Sequence, residues 1–235
     1  MNKLAQGCIA EFIGTFALCF AGCASIVLTV DSIGAGSLAT VALAHGLVLT
    51  VFVTACLYIS GSQFNPAVSV GVLLAGKQSL TQTIAFIISQ LLAAASGVGM
   101  MTFLFSENET TAAALETARH GATLGSLSDP ETGSIISVFG IEALMTFALM
   151  FVILAAVVDD RAHKIGGFCV GLTVATGILA FGPLTGASMN PARSFGPALY
   201  GHWDMHWVYW AGPITGSIVA ALVYRFVWAD AKKSD

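Results

Sequence analysis

The sequence predicts an all-α membrane protein with six transmembrane helices and two short re-entrant half-helices in an inverted repeat. Three observations predict it: an apolar composition, six long apolar runs, and the tripeptide Asn-Pro-Ala, which occurs twice. Hydrophobic residues make up 56% of the 235-residue chain and charged residues 9%, and the mean hydropathy is +0.84. Soluble domains carry about 25% charged residues. We therefore expect the lipid bilayer to surround this chain.

Each predicted span is an apolar run long enough to cross a bilayer, which takes about 20 residues. The six runs lie at roughly 8–30, 36–58, 82–105, 134–158, 165–183 and 207–228. The first run carries Glu11 and is too long for the apolar core of a signal peptide, so we expect it to stay as a span. Nearly all of residues 1–235 then form a single membrane domain.

Basic residues predict the orientation, because Lys and Arg accumulate on the cytoplasmic side of membrane proteins. Six spans put both termini on one side, which also holds Lys3, Lys77, Arg161, Lys164, Arg225, Lys232 and Lys233. Both termini are therefore expected to be cytoplasmic. The short tails favour a bacterial inner membrane. No basic patch lies outside these flanks, so no nucleic-acid partner is expected.

The chain contains an internal duplication. The pattern Glu-x-x-x-Thr-Phe-Ala-Leu begins at Glu11 and again at Glu142, 131 residues later (142 − 11). The two Asn-Pro-Ala tripeptides are 125 residues apart (190 − 65). We place the halves at about 1–105 and 134–235, joined by an outside loop at 106–133. Each half holds three spans, an odd number, so the second half enters the membrane from the opposite side.

The tripeptides Asn65-Pro66-Ala67 and Asn190-Pro191-Ala192 predict two half-helices, at about 66–75 and 191–200. Proline suits the first position of a helix and asparagine suits the cap before it. Inverted repeats in transporters place such broken helices at the midplane. We therefore expect Asn65 beside Asn190, where two helix N-termini disfavour cations and the amides can donate hydrogen bonds to a passing polar molecule.

Glu11 and Glu142 lie inside predicted spans, where an ionisable group is costly and indicates function. Because they repeat with the half-helices, we expect each to accept hydrogen bonds from the backbone of its nearby re-entrant loop. The alternative is a proton-coupling carboxylate of an ion-coupled secondary transporter. The five cysteines lack metal-ligand spacing. No nucleophile with a base is visible, so neither an enzyme, a metal site nor a cofactor is expected.

These residues resemble the aquaporins, or major intrinsic proteins, over the whole chain. The two segments that carry the resemblance are 59–68, with Gln63 where many relatives have His, and 190–198. The resemblance implies an aquaporin-like fold, a passive channel for water, and a homotetramer with one pore per subunit. The polar segment 159–164 is expected to be a solvated loop, with gating as the alternative.

The resemblance also implies a selectivity filter. Counting the family's four filter positions onto this chain gives His45, Ile178, Ala187 and Arg193. This set, together with residues 205–213, resembles the plant tonoplast intrinsic proteins, which are associated with ammonia, urea and hydrogen peroxide as well as water. His120 stands where some of those relatives have a histidine that reaches toward the filter arginine.

Glycerol conduction is the alternative within the channel class. The glycerol-conducting branch typically has Asp directly after the filter Arg and Lys or Arg four residues later. Here those positions hold Ser194 and Ala198. The sequence therefore favours a channel for water and small neutral solutes that excludes protons and ions.

Overall fold

A computed structural model describes residues 2–30, 36–129, 131–159 and 165–228 of the chain. Six of its helices are long and apolar enough to cross a membrane, as predicted. Their α-helical parts are α1 (Lys3–Val27), α2 (Leu38–Ser60), α4 (Leu80–Phe105), α6 (Ile135–Ile153), α7 (Gly166–Thr185) and α9 (Val208–Val223). Short π-helical segments, Leu154–Val158 and Tyr224–Trp228, extend α6 and α9. The described residues contain no β-strand.

Local chemistry explains where the long helices begin and end. The side chains of Asn2, Ser79 and Ser134 accept backbone N–H groups at the starts of α1, α4 and α6, as capping residues do. Both α2 and α7 end at a glycine in the left-handed conformation, Gly61 with φ 85° and Gly186 with φ 79°. Each glycine turns the chain directly into a re-entrant loop.

Two short helices follow these loops, α3 (Pro66–Leu74) and α8 (Pro191–Ala198). Each has proline at its first position and is capped by the asparagine before it. The observed helices are one or two residues shorter at their C-terminal ends than the sequence predicted. At eight or nine residues, neither is long enough to cross a bilayer, so the chain must return to the side from which it entered.

The helices pack in two related sets. In the first half α1 packs against α2 and α4, and in the second half α6 packs against α7 and α9. Helices α2 and α7 pack against each other across the halves. Each half-helix also crosses over, because α3 packs on α9 and α8 packs on α4. The inverted repeat thus encloses both half-helices in the centre of the protein.

The segment between the halves was expected to be a loop, but it contains a further helix, α5 (Glu109–Thr117), and a 3₁₀ turn, Arg119–Gly121. The Asn108 side chain caps α5, and Ala114 and Leu115 bury its inner face. The helix is short and its surroundings are polar, so apolar periodicity alone did not reveal it. Residues 160–164 and 229–235, which carry four of the predicted cytoplasmic basic residues, lie outside the described residues.

Candidate functional site: a central pore with two capped half-helices

The first re-entrant loop is held by a buried carboxylate on α1. Glu11 accepts hydrogen bonds from the backbone N–H groups of Gln63, at 2.9 Å, and Phe64, at 2.6 Å. It also accepts from the side chains of Ser60, at 2.6 Å, and Gln90, at 2.8 Å. All four of these groups thus point at one carboxylate that is completely buried. Such bonds offset the desolvation of the carboxylate and of the loop backbone.

The second loop repeats this arrangement around Glu142. Its carboxylate accepts from the backbone N–H groups of Ser188, at 3.0 Å, and Met189, at 2.8 Å, and from the Thr185 hydroxyl, at 2.8 Å. Thr185 stands 125 residues after Ser60 (185 − 60), the separation of the two Asn-Pro-Ala tripeptides. The two carboxylates therefore make equivalent contacts with equivalent loops.

The loops adopt backbone conformations that most residues avoid. Ser62 and Phe64 in the first loop, and Ala187 and Met189 in the second, all have positive φ, between 46° and 54°. A non-glycine residue in this region costs about 1–2 kcal/mol. The bonds to the buried carboxylates hold these turns in place, because the loop amides would otherwise lack partners away from water.

The two half-helices meet at their N-terminal ends through a reciprocal pair of hydrogen bonds. Asn65 Nδ2 donates to the Met189 carbonyl at 2.7 Å, and Asn190 Nδ2 donates to the Phe64 carbonyl at 2.8 Å. Each asparagine Oδ1 accepts the amide of the second residue of its own half-helix. An amide nitrogen carries two hydrogens, so each Nδ2 keeps one N–H for another acceptor.

A narrow internal cavity of about 30 Å³ runs past both asparagines, enough room for about two water molecules. The aliphatic lining residues are Leu18, Leu49, Val53, Val68, Leu149, Ile153, Val170 and Val174. The polar lining residues are His45, Gln63, Asn65, Ser188, Asn190 and Arg193. A lining with a few polar groups among aliphatic side chains suits a small polar molecule that exchanges a few hydrogen bonds as it moves.

Arg193 and His45 lie together in this cavity. Arg193 Nε and Nη2 lie 3.4 Å and 3.3 Å from His45 Nε2, and Nη1 donates to the Gly121 carbonyl at 2.7 Å. The other ring nitrogen, Nδ1 of His45, lies 2.9 Å from the Val41 carbonyl. Since a carbonyl can only accept and a guanidinium can only donate, His45 is neutral, with its proton on Nδ1.

The acceptors described for Arg193, an imidazole nitrogen and a carbonyl, are uncharged, and the side chain is only 3% exposed. Among the described residues no carboxylate lies within salt-bridge distance of Arg193, so its positive charge faces the cavity without an ion-pair partner there. The N-termini of α3 and α8 add about half an elementary charge each. Within the described residues, no three His, Cys, Asp or Glu side chains come together as a metal-binding group.

The structure places the other two filter candidates differently. Ala187 lines the cavity, whereas Ile178, which is buried in the same apolar cluster as Ala187, is not among the lining residues. His120 does not reach Arg193 with its own side chain. Its ring stacks on Tyr200, with centroids 4.4 Å apart, and faces His202, while the carbonyl of the next residue contacts Arg193. Burial lowers the pKa values of His120 and His202.

The sequence analysis did not identify several contacts that support the site. In the first loop, Gln63 is held by Gln78, whose Oε1 accepts from Gln63 Nε2 at 2.6 Å, and by Ser69, whose hydroxyl donates to Gln63 Oε1 at 2.6 Å. In the second loop, Ser194 lies within hydrogen-bond distance of Ser188 and of Thr123. Polar side chains within or next to the predicted spans were the available hint for these contacts. Their partners are distant in sequence or belong to loops.

Comparison with known proteins agrees with the geometry. The family model for the major intrinsic proteins matches residues 1–224. Aquaporin TIP4-4 of Zea mays is 41% identical over 231 residues, covering 93% of this chain and 86% of that protein. Nodulin-26 of Glycine max is 37% identical and covers 94% and 78%. The structure of an aquaglyceroporin from Plasmodium falciparum superposes with a TM-score of 0.84 at 25% identity, covering 98% and 99%.

Proposed function

Because the chain belongs to the major intrinsic protein family, a family of membrane channels and not of enzymes, we propose that its pore conducts water together with ammonia, urea and hydrogen peroxide. Protons and ions are excluded. The observation that carries this proposal is the Arg193–His45 pair in a cavity that both half-helices line. The family supports passive conduction, and the pair supports the solute range.

The solute range follows from what the pair presents to the lumen. His45 accepts a hydrogen bond from Arg193 at Nε2 and donates one from Nδ1–H to the Val41 carbonyl. These two bonds hold the imidazole in one orientation. Arg193 keeps N–H groups beyond those bonded to His45 and Gly121, since a guanidinium has five. A filter of this kind offers fixed donors to the urea carbonyl, the ammonia nitrogen or a peroxide oxygen.

Proton exclusion rests on the two asparagines. The free N–H of Asn65 and of Asn190 would both donate to a water between them, which interrupts a continuous donor chain. The facing helix N-termini disfavour a hydrated proton at the same place. In this proposal Pro66, Ala67, Pro191 and Ala192 form the half-helix starts, and Glu11 and Glu142 brace the loops. Their completely buried side chains fit this structural task.

Stopped-flow light scattering on proteoliposomes tests the proposal. We expect water permeability well above that of empty vesicles, followed by measurable urea, ammonia and peroxide flux that rises linearly with the gradient. Saturable flux that requires an ion gradient would indicate an ion-coupled secondary transporter instead. Proton flux through the channel that is comparable to its water flux would contradict the role assigned to Asn65 and Asn190.

A substitution in the filter should change the fluxes of the different solutes by different amounts. We expect His45→Phe to lower urea and ammonia flux more than water flux, because a phenyl ring cannot accept from Arg193 and would take up lumen space. The matched control is Leu43→Phe on the same helix, since Leu43 is 54% exposed on its outer face. A uniform loss of all fluxes in His45→Phe would count against a filter role for His45.

Glycerol conduction is the alternative, favoured by the similarity of the fold to that of an aquaglyceroporin. Ser194 and Ala198 argue against it, as they stand where the glycerol-conducting branch typically carries charge. A glycerol arm in the same flux series decides between them. Glycerol flux equal to urea flux would favour the alternative.

We further propose a homotetramer with one pore per subunit, built from repeats at about 1–105 and 134–235 and with both termini cytoplasmic. Sedimentation in detergent tests the tetramer, and protease access to a C-terminal tag in sealed vesicles tests the orientation. The plant relatives reported above give no support to a bacterial inner membrane.

A further inference from the structure

The His45 ring, which binds Arg193, packs directly against a glycine of α1. If Gly22 carried a Cβ, that atom would lie 2.5 Å from His45 Nε2 and 2.9 Å from both Cδ2 and Cε1 of the same ring. Real side chains do not approach this closely, because protein interiors are already packed at the density of organic crystals. The imidazole of His45 therefore occupies the space that any other residue at position 22 would take.

The next residue of α1 supports the second acceptor of Arg193. A Cβ on Gly121 would lie 2.7 Å from the Cα of Cys23, and the Cys23 thiol donates to the Gly121 carbonyl at 3.8 Å. That carbonyl accepts from Arg193 Nη1. Two consecutive residues of α1, Gly22 and Cys23, thus contact the His45 ring and the Gly121 residue, which together bind the guanidinium of Arg193.

Helix α2 has little freedom to yield if position 22 became larger. Gly46, next to His45, packs so closely on α7 that a Cβ there would lie 2.7 Å from the Gly171 carbonyl. A Cβ on Gly171 would in turn lie 2.2 Å from the Gly46 carbonyl. The backbone of α2 is therefore fixed beside the filter. The His45 ring would have to move, and the cavity that it lines is the space open to it.

We propose that Gly22 is a positioning residue of the selectivity filter. Its missing side chain lets His45 lie against α1 and bind Arg193, which holds the imidazole at the edge of the lumen instead of further into it. The residue type at position 22 thereby sets the aperture and the solute range. This inference rests on the proposed function, since it assumes that His45 and Arg193 select solutes.

The test compares Gly22→Ala with a matched glycine in the same flux assay, with fluxes normalised to the amount of folded protein in each vesicle. We expect Gly22→Ala to lower the ratio of urea to water permeability severalfold, because the added methyl group displaces His45 into the lumen. The control is Gly140→Ala in α6, where a Cβ would meet nothing within 4 Å. An unchanged urea to water ratio in folded Gly22→Ala would overturn the proposal.

A double-mutant cycle shows whether position 22 acts through His45. In a His45→Ala background the methyl group has room, so Gly22→Ala should no longer change the ratio. A change of equal size in both backgrounds would mean general disturbance of packing and would overturn the proposal. If Gly22→Ala alone does not fold, recovery of folded protein in the double variant supports the contact, and failure of the double variant as well contradicts it.

The same measurements distinguish failure of the proposed function from failure of this inference. A wild-type protein that conducts water but no urea, ammonia or peroxide would overturn the proposed solute range. Water permeability alone would then test Gly22. It should fall in Gly22→Ala and be unaffected by the same substitution in the His45→Ala background.

Discussion

The two re-entrant loops share one frame but present different groups to the pore. Each begins after a left-handed glycine, bonds two backbone N–H groups to a buried glutamate, and enters a half-helix through an asparagine cap. Yet the third residue after the asparagine is Val68 in the first loop and Arg193 in the second, and both line the cavity. The frame is symmetric, whereas the positive charge lies on one side of the centre.

This difference indicates how a duplicated structure can carry the proposed selectivity filter in one half only. The shared contacts place both half-helices, so the symmetric part supplies stability and the central donors. Arg193 instead takes its acceptors from His45 and from Gly121, a residue of the segment between the halves. That segment has no partner in the repeat, so a single filter can form without disturbing the symmetric centre.

The largest effect is expected from removing a bracing carboxylate. Glu142→Ala orphans the N–H groups of Ser188 and Met189, and each orphaned buried group costs about 1–3 kcal/mol. Glu11→Ala should cost more, because Glu11 has a fourth donor, Gln90, in addition to two N–H groups and a hydroxyl. Thermal unfolding in detergent measures both. The exposed Glu116→Ala is the control, and a larger fall in unfolding temperature in Glu142→Ala than in Glu11→Ala would contradict the expected order.

Replacing Arg193 with valine, the residue at the equivalent position of the first loop, should remove the selection against glycerol and urea while the fold is preserved. We expect Arg193→Val to raise glycerol and urea flux by about tenfold, which corresponds to a barrier change of about 1.4 kcal/mol, because a charge and its donors leave the lumen. Val68→Ala is the control, since it widens the equivalent position of the first loop without changing charge. Equal gains in both variants would mean that width alone, and not the charge of Arg193, selects solutes.

Removing the two asparagine caps should change the local stability of their half-helices by different, smaller amounts. Asn65 Oδ1 accepts one backbone amide, that of Ala67, whereas Asn190 Oδ1 accepts those of Ala192 and, at 3.4 Å, Arg193. Loss of a cap costs about 1 kcal/mol, so Asn190→Ala should loosen its half-helix more than Asn65→Ala does. Hydrogen exchange of the half-helix amides measures this. Asn108→Ala, which removes the cap of α5 away from the pore, should leave both half-helices protected.

The smallest effect is expected from pH at the segment between the halves. Burial is the main cause that lowers the pKa of both His120 and His202 from 6.5, while Glu116 raises both and Arg119 lowers that of His202. Below about pH 6.5 the unfolded chain therefore binds more protons than the folded chain. The contribution of these two neutral histidines to the free energy of unfolding is complete above that pH, and it declines as the pH falls toward the lowered pKa of the folded state. Unfolding temperatures at pH 7.5 and pH 5 measure the decline.

Removing the titrating groups provides the control for this pH effect. His120→Asn with His202→Asn should reduce the difference between the two unfolding temperatures, because asparagine does not titrate. An undiminished difference would assign the pH dependence to other groups. A positive result would add pH sensitivity to the ways in which the second half and its connecting segment differ from the first half.

Much of the frame was predictable from residue types because its causes are local. Proline suits the first position of a helix and asparagine the cap before it, and apolar runs of about 20 residues are long enough to cross a bilayer. The helix α5 was missed because its polar sequence lacks a strong apolar face. Ile178 was assigned to the filter from the resemblance; it lies in the same apolar cluster as Ala187 but is not among the residues that line the cavity, so its role in the filter stays a prediction.

The amino-acid sequence by itself determined six spans, two capped half-helices and a pair of repeated glutamates, because each depends on local propensity or on the cost of a polar group in lipid. Only the tertiary structure decided which groups bind Arg193. A backbone carbonyl such as that of Gly121 has no signature in a sequence, and the space beside Gly22 exists only once α1 and α2 have packed. The spans and caps follow from local chemistry, whereas the arrangement of the filter follows from packing between distant segments.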